Sequence, residues 1–338
     1  MLEVLTEARL LTADRGDAGR RLDLVLRRHL SDVDAATRNR VQIWIEAGRV
    51  SVNGLPVRRT AARAACGDVI TVALPPVVPR PPMAAEDVPL EILHEDPHLL
   101  MISKPAGLVV HPTHAHASGT LMNALLWHAR DWPAAGRPSL VGRLDKLTSG
   151  LVVVAKGPAA HAALQRTWGD AATLKEYLAL VHGRVTPARG RIDLGLRRDP
   201  GDRRRVIPCE RTGAPSATLF ERIARGTGVS LVRCRLLTGR THQIRVHLAA
   251  RGWPVAGDAV YGMVRRRGDP SAPLAAALGR LSGHALHAWR VRLTHPATRV
   301  LLDIQAPLPA GLTDAILAAG IEADALVQIS AAPPAQLW

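Results

Sequence analysis

The side chains in this sequence that could do chemistry form few patterns. Asp145, Ser149 and His242 offer a carboxylate, a hydroxyl and an imidazole, the parts of a hydrolytic triad. No G-x-S-x-G elbow surrounds Ser149 and no oxyanion-hole signature accompanies it, so that chemistry lacks its machinery. His111, His114 and His116 in HPTHAH have no carboxylate or thiolate at ligand spacing beside them, which argues against a metal site and for a substrate loop. The cysteines Cys66, Cys209 and Cys234 are scattered and form no C-x-x-C pair, so they are expected as buried or inert thiols, not as disulfides or zinc ligands. No Gly-rich phosphate loop is present, so no nucleotide cofactor is implied. Asp145 remains. A carboxylate with a reference pKa of about 3.9 is ionised at neutral pH and can serve as nucleophile or base. Desolvation by a bound substrate would raise that pKa unless a cation opposes it, and arginine is the natural partner.

The elements that must position these groups can be read from periodicity. Residues 1–19 lack a clear period and are expected as a flexible leader. From Arg20, RRLDLVLRRHL places Leu22, Val25, Leu26 and Leu30 at helical spacing, and VQIWIEAG repeats the pattern before Gly48 stops it. RVSVNGLPVR alternates around Asn53-Gly54, a hairpin signal, and GDVITVAL supplies another strand. A small helix-helix-hairpin domain over residues 20–74 follows. Five prolines between residues 74 and 87 mark a semi-rigid linker, residues 75–88. Beyond it, runs such as LLMISK, LVVVAK, EYLALVHG and VSLVRCRLL alternate with helical segments such as LMNALLWHA and AAHAALQRTW. This predicts an α+β domain on a mostly antiparallel mixed sheet over residues 89–310. A short helix, TDAILAAG, and an Ala- and Pro-rich tail over residues 311–338 are expected at the surface.

Bulk properties narrow the partners. With 338 residues and 47% hydrophobic content the chain can bury a sizeable core. The 44 Lys+Arg against 29 Asp+Glu give a formal charge of +15, which favours a polyanionic partner, although an arginine-rich composition alone produces the same excess. No apolar run approaches the roughly 18 residues that span a bilayer, and the N-terminus carries two glutamates where a secretory signal would be basic, so no membrane is implied and the cytoplasm is the expected compartment.

Four separated motifs then occur in order: LLMISKPAGLVVHP, GRLDKLTSGLVVVAK, LKEYLALVHG and GRTHQIRVHLAARGWPVAGDAVYG. Together, and with the later GHALHAWRVRLTHP, they resemble the RluA-type RNA pseudouridine synthases over roughly residues 88–308. The run RLDLVLRRHL, TRNRVQIWIEAGRVSVNG and GDVITV resembles the small RNA-binding module named after ribosomal protein S-four. In that module Arg27, Arg28, Arg38 and Arg40 would neutralise RNA phosphates, and Thr37-Arg38 keeps the hydroxyl cap and the cation that start the second helix.

The resemblance implies an isomerase without cofactor or metal, acting on RNA; a monomer is the default expectation. Large-subunit (23S) ribosomal RNA is the expected substrate, with transfer RNA, or a non-catalytic ribosome-assembly role, as alternatives. It maps the essential aspartate onto Asp145, its ion-pair partner onto Arg245 and the aromatic surface under the extruded base onto Tyr177, and leaves Tyr261 as structural. Arg143 resembles the arginine that fills the gap left by the flipped base, a phosphate contact being the alternative. His242 and Gln243 in THQIRVH fall with it as substrate or RNA contacts. In LRRDPGDRRRV the arginines around Asp199 form either a phosphate grip or a solvated face. Gly142 departs from the pattern, since His generally precedes Arg-Leu-Asp in this family and GRLD is typical of the sister RsuA-type enzymes.

Overall fold

The computed structural model describes residues 8–33, 36–75, 83–112, 116–133, 136–169, 173–262 and 271–331, with only the backbone of 328–331. The chain forms two compact units, residues 1–82 and 83–338. Most of the expected Pro-rich linker lies outside the described residues.

The first unit contains β1 (Ala8–Thr12), α1 (Leu22–His29), α2 (Arg38–Glu46), β2 (Val50–Val52), β3 (Leu55–Pro56) and β4 (Val69–Ala73). Its strands lie in the order β1-β4-β2-β3. Leu22, Val25 and Leu26 of α1 meet Val41, Trp44 and Ile45 of α2 over Val50, Ile70 and Val72. At the β2–β3 turn Asn53 and Gly54 both take positive φ, 51° and 80°, as a two-residue hairpin requires. The Asn53 side chain also donates to Asp68 and accepts from the Val69 amide, both at 2.9 Å.

Two expectations are corrected here. Part of the supposed leader is the edge strand β1, paired antiparallel to β4 some 60 residues away (Ala8↔Ala73, Thr12↔Val69). One edge strand exposing alternate side chains carries too little apolar signal to announce a pairing formed so far along the chain. Thr37 does precede α2, but its side chain makes no capping bond.

The second unit is built on β5 (Glu91–Glu95), β6 (Leu99–Lys104), α3 (Leu121–His128), β7 (Ser139–Leu140), β8 (Ser149–Ala155), α4 (Pro158–Thr167), β9 (Leu174–His182), β10 (Arg189–Asp193), β11 (Leu196–Arg198), β12 (Val206–Pro208), β13 (Ala217–Gly226) and β14 (Val229–Leu236). α5 (Gln243–Ala250), α6 (Ala272–Gly279), β15 (Leu286–Thr294), β16 (Leu301–Gln305), α7 (Ala310–Ala318) and α8 (Ala323–Ala331) follow. The main sheet runs β10-β13-β14-β9-β15-β8-β6-β5, with β16 on β15 and β7 on β8. Its described pairings are antiparallel except β15 with β8, so this is the mostly antiparallel α+β fold expected. β11 and β12 form a separate hairpin.

At the parallel junction Gly150 has φ +109°, and a Cβ there would lie 2.2 Å from the Ala288 carbonyl, so only glycine lets β8 meet β15 just after the Asp145 loop. Residues 311–338 were expected as a surface tail. Instead Leu312, Ala315 and Ile316 of α7 are buried in the same core as β9 and β14, because their i, i+3, i+4 spacing makes one apolar helix face. Among the described residues no helix is long and apolar enough to cross a membrane.

Candidate active site

Asp145 sits in the turn between β7 and β8, and neighbours hold that turn in place. Lys104 ends β6 fully buried, and its ammonium donates to the carbonyls of Pro105, Leu108 and Lys146 at 2.8, 3.1 and 3.1 Å. Three carbonyls replace its hydration shell, as a buried cation requires. Burial lowers the Lys104 pKa to about 8, against the opposing field of Asp145. On the other side Gly283 packs where any Cβ would fall 2.4 Å from the Leu147 carbonyl, and Thr148 bonds His284 at 2.8 Å. Burial holds that imidazole neutral, with a pKa near 4.

α5 brings up the cation. Arg245 lies in its first turn and is nearly buried, its side chain 6% exposed. Nη1 donates to Asp145 Oδ2 at 3.0 Å, while Nε and Nη2 grip both oxygens of Asp258 at 2.6 and 2.9 Å. The Tyr261 ring lies under the guanidinium, 4.9 Å from ring centroid to Cζ. Burial alone would raise the Asp258 carboxyl pKa, but Arg245 and the amides of Val260 and Tyr261 hold it below the usual carboxylate range. One guanidinium thus serves two carboxylates, and Asp145, 27% exposed, is the open one.

A cavity of about 480 Å³ opens onto Asp145, within the range that accommodates small ligands. Tyr177 on β9, Leu286, Ala288, Arg143, His242, Arg245 and Trp168 are among its walls. Tyr177 is half-buried, and burial together with the Asp145 charge raises its phenol pKa, so the ring is neutral. The cavity therefore pairs an ionisable carboxylate and its cation with a flat aromatic wall.

The other expected site residues separate into two groups. Arg143 is exposed at the rim and donates to Thr241 Oγ1 at 2.9 Å. His242 faces Asp145, with Nε2 3.8 Å from Oδ2. Gln243 is 2% exposed and is not an RNA contact: its carbonyl accepts from Thr238 Oγ1 and the Arg240 amide, and its amide donates to Ala217 O and Thr218 Oγ1. Four bonds exhaust its capacity, so it braces the loop before α5. Ser149 bonds His287 rather than His242, which removes the hydrolytic triad. Gly142 lies where a Cβ would be 2.9 Å from the Trp168 indole, so this chain fills with Trp168 the space beside Arg143.

His111 lines the cavity and His116 contacts Lys146 Nζ at 3.3 Å, whereas His114 lies outside the described residues. Of the cysteines only Cys234 is buried: Cys66 is exposed and Cys209 half-exposed, and all three are free thiols. In the first unit Arg27, Arg28, Arg38 and Arg40 are all exposed; Arg28 is bound to Asp14 and Asp17, and Arg38 lies 3.7 Å from Asp23.

Sequence reasoning missed Asp258 and Lys104. Asp258 lies within GRTHQIRVHLAARGWPVAGDAVYG, and the signal was an acidic residue a short loop beyond α5, free to turn back on Arg245. Nothing in LLMISKPAG said that the lysine would be buried.

Comparison with known proteins agrees with the geometry. Residues 98–250 match the family model described as RNA pseudouridylate synthase. A ribosomal large subunit pseudouridine synthase D from Nitrosomonas europaea is 42% identical over 305 residues, 88% of this chain and 84% of the relative. An uncharacterised RNA pseudouridine synthase of Bacillus subtilis is 36% identical, covering 90% of this chain and 96% of its own length. Among solved structures, human RNA pseudouridylate synthase domain containing 4 superposes with a TM-score of 0.56 at 25% identity, over 69% of this chain and 94% of the human one. With the fold, the cavity and these relatives in agreement, the chain belongs to the RluA-type RNA pseudouridine synthases, isomerases that act on RNA.

Proposed function

We propose that this enzyme converts uridine to pseudouridine in large-subunit ribosomal RNA, with Asp145 as the catalytic carboxylate, Arg245 as its ion-pair partner and Tyr177 as the surface on which the extruded base rests. The observation that carries this is the 3.0 Å contact between Arg245 Nη1 and an otherwise open Asp145 at the wall of the Tyr177 cavity. The isomerisation breaks a carbon–nitrogen glycosidic bond, turns the base and forms a carbon–carbon bond at uracil C5, with no net redox change. Whether the carboxylate attacks the base or sugar, or takes a proton from the ribose, it must enter the reaction ionised. Arg245 sets a cation 3.0 Å from the carboxylate on the face where the base would exclude water.

The ribosomal target rests on the names of the relatives, among them six ribosomal large subunit pseudouridine synthases D at 35–42% identity over most of the chain. Within the first unit, residues 20–74 serve as the S-four type RNA-binding domain, Arg27, Arg38 and Arg40 contacting phosphates, and the enzyme works in the cytoplasm. Loss of a pseudouridine stop from large-subunit RNA on deletion of the gene, by carbodiimide-dependent primer extension, tests the target. An unchanged stop pattern would reject it.

A further inference from the structure

A run of hydrogen bonds joins Asp145 to the arginine-bearing β11–β12 hairpin, and the chemistry above leaves it unused. The Val206 amide, at the start of β12, donates to the Tyr261 hydroxyl oxygen at 2.9 Å. That hydroxyl lies 2.8 Å from His242 Nδ1. A phenol has a single proton, which the Tyr261 hydroxyl can give to Nδ1 while its oxygen accepts from the amide. In that arrangement the neutral imidazole carries its proton on Nε2, the nitrogen 3.8 Å from Asp145 Oδ2.

Two further features fit this arrangement. His242 has φ 55°, a left-handed conformation that residues other than glycine adopt rarely, and although it precedes α5 its side chain caps nothing. The backbone is held off its ordinary path while the ring bonds Tyr261. The hairpin is itself seated by the same ring: Leu196 of β11 and Val206 of β12 pack with Tyr261 and with Val246 of α5. Arg197, Arg198, Arg203, Arg204 and Arg205 stand exposed on that hairpin and its loop.

We propose that His242 is a positioning residue for Asp145, donating from Nε2 as the site tightens on RNA, and that Tyr261 fixes its tautomer and ties it to the hairpin. Seating of the hairpin arginines on RNA phosphates is thereby transmitted to the carboxylate. The proposal rests on Asp145 being the reacting carboxylate.

The test uses the full chain and a large-subunit ribosomal RNA transcript carrying tritium at uracil C5. Single-turnover label release is measured at saturating enzyme and Kd by filter binding. Tyr261→Phe keeps the ring and should slow release about tenfold while Kd stays within about twofold, the size expected when a positioning hydrogen bond is lost. His242→Asn suits the left-handed backbone but does not carry the imidazole, and should be no faster than Tyr261→Phe. The double variant should be no slower than His242→Asn alone, since the two act in series.

Nitrogen-15 shifts should report the Nε2–H tautomer at His242 in the wild type and a mixture in Tyr261→Phe. Replacing Arg203 and Arg205 by Gln should slow the saturated step in the wild type but not in the Tyr261→Phe background. A wild-type Nδ1–H tautomer, or additive slowing in the double variant, would overturn the proposal. Asp145→Asn run alongside separates the two levels. If it still releases label, the assignment of Asp145 fails and this proposal with it. If it is dead while Tyr261→Phe is as fast as wild type, the proposal alone fails.

Discussion

Two carboxylates share the guanidinium of Arg245, and the protein treats them in opposite ways. Asp258 is fully buried, takes two of the arginine's bonds and accepts two backbone amides as well. Asp145 takes one bond, remains 27% exposed and turns its open side to the cavity. A buried carboxylate that accepts four hydrogen bonds is an anchor, since removing it leaves several buried donors without their acceptor. One left partly unsatisfied beside a cation is ready for a ligand. Around a shared arginine, the degree of saturation separates scaffold from chemistry better than residue type does.

The comparison breaks most sharply at Asp145. Asp145→Asn is nearly isosteric, so the melting temperature should hold within a few degrees while label release falls by at least about 10³-fold, the scale of losing a nucleophile or general base. Activity surviving the change would remove the distinction. Asp258→Asn is the complementary case. It leaves Arg245, in a buried site, with Asp145 as its remaining carboxylate partner and should cost about 3 kcal/mol of stability in urea unfolding, with activity falling only as the folded population does. A stable but inactive Asp258→Asn would mean that Asp258, too, belongs to the chemistry.

Only part of this contrast could be read from the sequence. Ordered motifs sufficed to pair Asp145 with Arg245 and Tyr177, because each lies inside a short, distinctive run. Asp258 lay inside such a run as well, yet its role depends on a loop folding back onto α5, and no periodicity encodes that. Gln243 shows the reverse error. It neighbours His242 in the same motif, but consecutive residues at the start of a helix point in different directions, and its direction leads to the start of β13. The helices and hairpin of the first unit were legible because their apolar spacing is local. β1 was not, because its partner lies in β4 and half its residues face solvent.

A smaller effect sharpens what the open side of Asp145 is for. If the cavity holds an extruded base against Tyr177, Tyr177→Ala should lower kcat/KM by an amount equal to about 1–3 kcal/mol of stacking, and Tyr177→Phe, which keeps the aromatic face, should recover most of it. Equal losses in the two variants would assign the role to the hydroxyl and leave the aromatic wall unexplained.

The same rule of saturation extends to the first unit, where its expected effect is smallest. Arg28 is bound by Asp14 and Asp17, whereas Arg40, on the neighbouring helix, is exposed with no carboxylate partner among the described residues. Arg40→Gln should therefore flatten the log–log salt dependence of RNA affinity by about 0.7–1, the value of one phosphate contact, and leave stability alone. Arg28→Gln should leave that slope unchanged and act on acid stability instead. Burial alone would raise the Asp17 pKa, but His29, the Asp14 amide and Arg28 hold it at about 2, against an ordinary 3.8. A depressed carboxylate pKa contributes stability that is present above 3.8 and lost as the pH falls toward 2. Without Arg28 the depression shrinks, so protection of the α1 amides in hydrogen exchange should fail at a higher pH than in the wild type. A salt slope that changes equally in both variants would mean that the ion pairs of Arg28 open on binding RNA, and that a saturated arginine in this unit is held in reserve, not set aside as scaffold.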